Sequence, residues 1–309
     1  MLNSDSINEP LFLHDWWMDA VCVGKHWQRV EGMPCLLRQR WGTRFIVMPQ
    51  QTQIGGTAWT SDNPEEIRRK AAEIAHALHN LRLDYYYQHF PIGSPLPEAL
   101  VPHGFTIRRH TTYRLNDLSR LDDLRSRFSE NKRHQLRKAA NLQLLTLSPG
   151  THPANIQGIS ARQFYAFHTD CLRRQGKRIA YTWTFFHSLF TACVQHNACT
   201  ILALRDGQGD LHAAVFLVYD ADTCYFLIPC YDPRHAKSGA GARIVDEAIR
   251  FAASHSRAFD FEGSMIPGVA NHYAQFGSTP AYFYEVERFY NPLFRCLMSA
   301  YQWINRKKR

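Results

Sequence analysis

The sequence predicts a mixed α/β fold of the α+β kind, in which twisted mixed sheets are flanked by helices. The chain has 309 residues, 45% of them hydrophobic and 20% charged, which is long enough for two domains with separate cores. Residues 65–81 carry apolar side chains at helical spacing. Residues 200–205, 211–219 and 224–230 are short apolar runs, which are typical of buried strands. Helix and strand patterns therefore alternate along one chain.

The first third of the sequence predicts a small α/β domain that ends near residue 110. Residues 15–21 predict an aromatic helix, and the segment NPEE at 63–66 is a helix start. The stretch PIGSPLPEALVPHGF, residues 91–105, is rich in Pro and Gly and predicts an irregular surface connection. The predicted domains are 1–110 and 111–309. The strands of the first are expected at residues 27–30, 35–40, 45–48, 83–90 and 106–115.

The remainder of the sequence predicts a second α/β domain with a clearer order of elements. That order is strand, two helices, three strands, helix, strand, helix and strand, preceded by a basic helix. The expected helices cover residues 129–142, 160–175, 184–195, 244–254 and 268–276. The expected strands cover residues 142–147, 200–205, 211–219, 224–230, 259–261 and 282–288.

Two carboxylates, Asp260 and Glu262, stand in the apolar run FDFEG. They share strand parity, so they should point to one face if the strand continues to residue 262. A buried carboxylate with a raised pKa could take the proton that an amine loses during acyl transfer. The alternative is a hydrogen-bonded pair with a structural role. We assign Glu262 to function, because it stands at the end of the strand, and Asp260 to structure.

The segment SENKRHQLRKA predicts a basic helix with Ser129 as its N-cap. Arg133 and Arg137 lie four residues apart and share a face. Together with Lys132 and Lys138 they would form a compact cationic patch. Such a patch suits the diphosphate of a nucleotide-linked acceptor or the backbone of a tRNA. A solvated surface helix is the alternative.

Composition favours a cytoplasmic protein with an anionic partner. The eight cysteines form no CxxC pair, and the start MLNSDSINEPLF lacks the features of a signal peptide. The net charge is +9, which favours nucleic acid, a phosphorylated ligand or an anionic membrane surface. The basic tail at 306–309 could contact the inner face of the membrane. The histidines form no HExxH motif, so no metal site is predicted.

The order of elements in the second domain resembles the Gcn5-related N-acetyltransferase (GNAT) fold. The chain as a whole resembles the FemABX-like family of tandem GNAT proteins, and above all its FemAB-related, acetyltransferase-like branch. That family includes the peptidoglycan bridge-forming aminoacyltransferases. The resemblance implies two GNAT-like domains, a degenerate one at 1–110 and an acyltransferase domain at 111–309. It rests on LHDWWMDAV, TYRLNDL, SENKRHQLRKA and FDFEGSMIPGVANHYAQFG.

In this resemblance HAKSGAGARIVDEAIRFA stands at the loop and helix that hold the phosphates of the acyl donor. Glycines allow backbone N–H groups to approach a phosphate, and the helix N-terminus adds positive charge. The family motif has Gln or Arg where this chain has Ala236, with Arg234 and Lys237 nearby. The implied donor phosphate-binding residues are Lys237, Ser238, Gly239, Ala240 and Gly241.

A second departure concerns the family's Phe-Lys pair before the final Phe-Gly. By spacing from Phe276, the pair here is His272-Tyr273, so Tyr273 stands in place of the lysine. The candidate catalytic residues are therefore Glu262, Tyr273 and Asp260, and the candidate acceptor phosphate-binding residues are Arg133, Arg137 and Lys138.

The resemblance implies transfer of an acyl or aminoacyl group to an amine of a cell-envelope or peptidoglycan-type acceptor. The donor would be acyl-CoA or aminoacyl-tRNA, with no metal. Backbone N–H groups would polarise the donor carbonyl, and Glu262 or Tyr273 would move protons. The alternative is a non-catalytic GNAT-fold protein that binds RNA or an anionic surface.

Overall fold

The computed structural model describes residues 9–147, 158–263 and 267–296. The chain divides into two compact units. Unit 1 comprises Met1–His110 and Tyr282–Arg309, and unit 2 comprises Thr111–Ala281, each over its described residues. The basic tail on which the expected membrane contact rests lies outside the described residues.

Unit 1 is a mixed sheet with three helices. The helices are α1 (Asp15–Val21), α2 (Pro64–Asn80) and α3 (Leu96–Leu100). The strands lie in the order β1 (His26–Val30), β2 (Met33–Arg40), β3 (Thr43–Val47), β4 (Tyr85–Phe90) and β12 (Thr279–Phe289). β3 and β4 are parallel and the other neighbouring pairs are antiparallel. Strand β5 (Thr106–Leu115), like β12, has residues in both units.

The core of unit 1 forms between α2 and one face of its sheet. Asn63 caps α2 by accepting a hydrogen bond from the Glu65 amide, and the helix buries a single apolar stripe. In β4 every second residue is buried, so Tyr86 and Phe90 face this core. The stripe of α2 comprises Ala71, Ile74, Ala75 and Leu78.

Unit 2 is a larger mixed sheet covered on both faces. Its helices are α4 (Leu121–Ser126), α5 (Glu130–Lys138), α6 (Ala161–Arg174), α7 (Trp183–Gln195), α8 (Ala240–Ala253) and α9 (Pro267–Ala274). The strand order is β5, β11 (Ala258–Asp260), β10 (Thr223–Tyr231), β9 (Leu211–Tyr219), β8 (Cys199–Arg205), β6 (Gln143–Leu147) and β7 (Gly158–Ile159). The central strands are buried almost throughout, as expected of strands covered on both faces.

The connection at 91–105 differs from its prediction. It contains α3 and a 3-10 turn, Val101–His103, and it buries Leu96, Leu100 and Phe105 in the core of unit 1. The prolines occupy the first turns of these short helices, where the missing N–H costs nothing. Pro and Gly content alone therefore led to a wrong prediction of irregular surface chain.

The mixed α/β class predicted from the sequence is confirmed. Most predicted elements are present within a few residues of their expected bounds, and α1, β5 and β9 match theirs. Across residues 9–147, 158–263 and 267–296, no helix is both long and apolar enough to span a bilayer.

Candidate active site

The candidate active site lies in unit 2, where two parallel strands part. β10 and β11 are paired only over three residues, from Thr223 opposite Ala258 to Tyr225 opposite Asp260. β11 then ends, while β10 continues to Tyr231 and leads into the glycine-containing loop before α8. The end of a strand next to a helix N-terminus is where open α/β sheets bind ligands. Beyond this point β11 no longer pairs with β10.

The loop before α8 has one glycine that the fold requires. Gly239 has φ 82°, and a Cβ there would lie 2.3 Å from the backbone oxygen of Gln135 in α5. Gly241 has no left-handed φ, because it lies in the first turn of α8, and a Cβ there would meet only the Tyr231 ring at 3.7 Å. Gly239 therefore allows α5 to approach, and Gly241 keeps the helix end open.

The loop presents backbone donors at the start of a helix of 14 residues. The Ser238 hydroxyl accepts a hydrogen bond from the Ala240 amide at 3.2 Å. The amides of Gly239 and Gly241 donate to no described residue. Free amides and the positive end of the helix dipole together favour an anion.

Arg234 is occupied by a structural contact, whereas Lys237 is exposed. Asp232, 1% exposed, accepts hydrogen bonds from the guanidinium groups of Arg234 and Arg174, at 2.8 Å each. Burial raises the pKa of Asp232, but its hydrogen bonds to Arg234 and the charge of Arg174 hold the pKa below its usual value. This ionised carboxylate fixes the start of the loop.

Asp260 is buried and tied to its surroundings by three groups. It accepts hydrogen bonds from the Thr112 hydroxyl and, at 2.8 Å, from the Glu262 amide, and Arg114 Nε lies 3.5 Å from its second oxygen. Burial raises the pKa of Asp260, and the same three contacts oppose that rise without cancelling it. These contacts hold the chain at the point where β11 ends.

The expected strand parity of Asp260 and Glu262 is wrong. β11 ends at Asp260, and Glu262 adopts a left-handed conformation with φ 62°. The hydrogen bond from the Glu262 amide to Asp260 holds this conformation, which costs a non-glycine residue about 1–2 kcal/mol. Both carboxylate oxygens of Glu262 are buried. A strained residue with a buried carboxylate at a strand end is typical of functional sites.

Tyr273 lies close to Glu262. Burial, followed by the charge of Glu262, raises the pKa of Tyr273 to about 12. Its ring packs on Phe261, with centroids 4.6 Å apart. The ionised form of Tyr273 also contributes to the raised pKa of Tyr231, whose first cause is burial. Tyr273 therefore interacts electrostatically with Glu262 and Tyr231, and the Tyr231 ring lies 3.7 Å from where a Cβ on Gly241 would be.

Lys132 was expected on the cationic surface and is instead buried. It is 2% exposed, its Nζ lies 2.8 Å from Nδ1 of His272, and the Phe276 ring centroid is 5.1 Å away. Burial lowers the pKa of Lys132 to about 8, and burial with the nearby Lys132 charge lowers the pKa of His272 to about 4. At neutral pH the Lys132 ammonium therefore donates to a neutral imidazole.

The other cations of α5 divide between structure and surface. Arg133 donates to the carbonyl oxygens of Ser126 and Phe128 at 3.1 and 2.9 Å. Arg137 and Lys138 are exposed at the end of α5 that packs against Gly239. Only the last two therefore extend freely beside the loop.

Sequence reasoning missed Tyr231, Lys132 as a buried group, and His272. Tyr231 could have been found, because it is the last residue of the strand that leads into the loop. The burial of Lys132 had no signal, because its partners come from α9, 140 residues along the chain. In the described parts of the chain, no group of three or more His, Cys, Asp or Glu side chains is arranged to hold a metal ion.

The sequence of residues 126–273 matches the family described as Acetyltransferase (GNAT) domain. This range contains the parting of β10 and β11, the loop before α8, and the group formed by Glu262, Tyr231 and Tyr273. No curated protein matches the chain by sequence.

Solved structures extend the fold likeness over the whole chain. The crystal structure of FemX is similar with a TM-score of 0.69 at 10% identity, over 94% of this chain and 95% of that chain. L-PGS from Bacillus licheniformis is similar with a TM-score of 0.59 at 10% identity, over 97% and 98%. A tandem GNAT protein from the clavulanic acid biosynthesis pathway has a TM-score of 0.51 at 14% identity, over 84% and 79%.

These comparisons confirm the fold and the resemblance predicted from the sequence. Residues 126–273 match the GNAT acetyltransferase family in sequence. The fold of the whole chain is similar to that of FemX and to that of a tandem GNAT protein.

Proposed function

We propose that unit 2 transfers an acyl group from a phosphate-bearing thioester of the coenzyme A type to an amine. The observation that carries this proposal is the parting of β10 from β11 beside the loop that precedes α8. The open strand edge can hold the pantetheine-like arm of a donor, while the loop holds its phosphates. The GNAT domain match favours acyl-CoA over aminoacyl-tRNA as the donor.

The donor phosphates bind to the loop Lys237–Gly241 in this proposal. The amides of Gly239 and Gly241 and the positive end of α8 supply the attraction. Lys237 is exposed in the same loop, and Arg137 and Lys138 extend from the end of α5 that packs against Gly239. This placement favours a role for Arg137 and Lys138 with the donor phosphates rather than with a separate acceptor.

The amine nitrogen attacks the thioester carbonyl carbon, and a C–N bond forms as the C–S bond breaks. The carboxylate of Glu262 takes the proton that the amine loses, and the electron pair of the C–S bond leaves with the thiolate. The Tyr273 hydroxyl, with a pKa of about 12, stays protonated at neutral pH and donates a hydrogen bond to the departing sulfur. Asp260 acts through the Glu262 amide and positions the base.

The acceptor that we propose is an amine of a cell-envelope or peptidoglycan-type molecule. The support is the resemblance to FemABX-like proteins together with the FemX-like fold. The buried free cysteines, among them Cys35, Cys224 and Cys230, fit a reducing cytoplasmic compartment. Contact with the inner face of the membrane remains part of the same proposal.

The donor site is tested with a matched pair of variants at Gly241. Gly241→Glu adds a negative charge among the free amides, while an acid near a helix N-terminus favours the helix. Gly241→Ala adds a methyl group that would make ordinary contact with the Tyr231 ring, 3.7 Å away. Coenzyme A at about a hundred times its Kd should stabilise the wild type and the Ala variant by about 2.7 kcal/mol. It should leave the melting temperature of the Glu variant unchanged.

Equal stabilisation of all three proteins by coenzyme A would place the phosphate site elsewhere. Stabilisation by an RNA oligonucleotide and not by coenzyme A would favour the non-catalytic alternative over an acyltransferase.

The base is tested by release of free thiol from acetyl-CoA with a panel of peptide and amino-sugar amines. Glu262→Gln should lower the single-turnover rate about 10²-fold or more, a common contribution of general-base catalysis. Tyr282→Phe, at an exposed ring in β12, is the control and should leave the rate unchanged. A Glu262→Gln variant that transfers at the wild-type rate would contradict the assignment of the base.

A further inference from the structure

The turn between β2 and β3 in unit 1 presents a tryptophan to solvent. Trp41 is 87% exposed, the largest exposed fraction among the large apolar side chains of the described chain. Trp41 and Gly42 both have a positive φ, 49° and 77°, as the two-residue turns of tight hairpins require. Asn-Gly suits such a turn, whereas a bulky side chain at its first position is strained. The fold does not explain this tryptophan, and a strained, exposed residue points to a binding role.

The turn projects beyond the strands on either side of it. β2 and β3 stay paired up to Arg40 and Thr43. β1 begins opposite Leu37, and β4 begins opposite Phe45. The hairpin therefore extends past its neighbours by two to three residues, or roughly 7–10 Å. Trp41 stands at the outer end of this projection.

The strand ends around the hairpin are strongly basic. The register places the starts of β1, β3 and β4 beside the ends of β2 and β12, so residues 22–26, 38–45, 82–85 and 289–296 lie at one end of the sheet. Asp84 is the one acid in these segments, and its carboxylate accepts hydrogen bonds from the Arg44 amide and the Asn291 side chain. In the described part of the chain, no carboxylate forms an ion pair with their basic side chains, which are Lys25, Arg38, Arg40, Arg44, Arg82 and Arg295.

Positive charge surrounds the tip on both faces of the hairpin. Arg38 and Arg40 share one face and Arg44 lies on the other, because side chains alternate along a strand. The Arg40 guanidinium lies over the Trp41 ring, 4.1 Å from its centroid. At the same end of the sheet, Leu293 is 74% exposed. This end of unit 1 therefore combines projecting apolar side chains with cations that have no counter-ion among the described residues.

We propose that this end of unit 1 binds an anionic lipid bilayer, with Trp41 inserted at the level of the headgroups. Tryptophan suits that depth because its ring is apolar and its N–H is polar. The cations would contact lipid phosphates, and Leu293 would enter beside Trp41. A single-stranded nucleic acid fits less well, because it uses several stacking rings along a groove and this end presents one projecting ring. Binding here rests on the membrane contact in the proposed function but needs no acyl transfer.

The test measures co-sedimentation of the full chain with vesicles of phosphatidylglycerol and phosphatidylcholine, and with vesicles of phosphatidylcholine alone. Trp41→Asn suits the turn better than the native residue, so the melting temperature should stay the same or rise. Its partition coefficient on the anionic vesicles should nevertheless fall about tenfold, because the inserted ring is lost. Val101→Asn, at an exposed valine in the 3-10 turn, is the matched control and should bind as the wild type does.

The contribution of charge is measured with a second pair of variants. Arg38→Gln with Arg40→Gln should lower the partition coefficient on anionic vesicles about tenfold or more, and it should leave the weak binding to phosphatidylcholine unchanged. The matched control, Arg68→Gln with Arg69→Gln, removes two exposed charges of α2 and should bind as the wild type does. Equal binding by the two arginine variants would overturn the proposal.

Insertion is measured with vesicles whose acyl chains carry bromine, which quenches tryptophan emission on contact. The wild type should be quenched more strongly than Trp41→Asn, and equal quenching would overturn the proposal whatever the variant does to the fold. Binding of a single-stranded RNA oligonucleotide through Trp41, without vesicle binding, would overturn it as well. Thiol release from acetyl-CoA with soluble amines should be the same in every variant, so failure of the membrane surface and failure of acyl transfer are seen separately.

Discussion

Positive charge is concentrated in two regions of the molecule, and these regions differ in how far their cations are buried. In unit 1, Lys25 and Arg38 are exposed, Arg44 is half-buried, and no acid forms an ion pair with them in the described chain. In α5 of unit 2, Lys132 is buried against His272 and Phe276. The cations of the first region face solvent wholly or in part, and Lys132 in the second is part of the packing. Residue type alone does not separate these roles, whereas burial does.

The buried region is held by contacts at both ends of α5. At its start, the Ser129 amide donates to the carbonyl oxygen of Gln275 beside α9. At its end, Arg243 of α8 donates to the carbonyl oxygens of Ala139 and Ala140 at 2.6 and 2.8 Å. These bonds satisfy backbone groups that a helix end leaves open. Lys132 is therefore buried by the fixed position of its helix rather than by its own preference.

The largest expected loss of stability in this region comes from a side chain at position 239 that blocks the contact between α5 and the loop before α8. Gly239→Val would place a Cβ against the Gln135 oxygen in a left-handed conformation. We expect the free energy of unfolding to fall by about 3 kcal/mol or more, from backbone strain and overpacking together. Urea unfolding measures it, with Gly241→Ala as the control that should stay within about 1 kcal/mol. A stable Gly239→Val protein would mean that α5 does not pack there.

A smaller change in stability is expected from removing the buried charge of Lys132. Lys132→Met keeps most of the side-chain volume and no longer buries an ammonium group, so it should leave stability unchanged or raise it by about 1–2 kcal/mol at pH 7. Lys138→Met, on the exposed part of the same helix, should change stability by less than about 0.5 kcal/mol. Chemical denaturation of both variants measures the difference. A clear loss of stability in Lys132→Met would show that its contact with His272 outweighs the cost of burial.

The pH dependence of stability should distinguish Lys132 from the exposed cations. Its pKa falls from 10.5 to about 8 on folding, so between pH 8 and 10.5 the unfolded chain holds a proton that the folded chain has lost. Stability from this group therefore rises with pH across that window. His272, Gln135 and Phe276 surround the amine, and His272 is neutral in this range.

The measurement compares denaturation midpoints from pH 7 to 10 for wild type and Lys132→Met, so that the titration of other groups cancels. The wild type should gain stability relative to the variant as pH rises. Lys138→Met should follow the wild type at every pH. Parallel curves for wild type and Lys132→Met would mean that Lys132 has an ordinary pKa.

The fold could be predicted from the sequence because its evidence is local. The periodic stripe of α2 and the apolar runs of β8, β9 and β10 fix element type without reference to the rest of the chain. The short helices α3 and α4 could not be predicted, because their few apolar residues are buried only by tertiary packing. The sequence predicts the position of the loop before α8, but it does not predict that the two glycines of the loop have different roles.

The site was harder to predict because its geometry depends on distant contacts. The parity argument for Glu262 failed because a hydrogen bond from its own amide to Asp260 turns the chain out of the strand. Lys132 was grouped with Arg133 and Arg137 because spacing along a helix says which residues share a face, not what covers that face. The position of α9 determines that Lys132 is covered, because α9 carries His272.

The smallest expected change in stability concerns the exposed cations of unit 1. Arg38→Ala with Arg44→Ala removes two charges that have no acidic partner in the described chain, so no ion pair is lost. We expect the free energy of unfolding to change by less than about 0.5 kcal/mol at 0.15 M salt. At 0.01 M salt, where screening extends to about 30 Å, removing like charges should stabilise the protein slightly. Thermal melts of the variant and wild type at both salt concentrations measure this. A loss above about 1 kcal/mol at either salt would mean that these arginines hold unit 1 together, and that the two cationic regions do not differ as the contacts indicate.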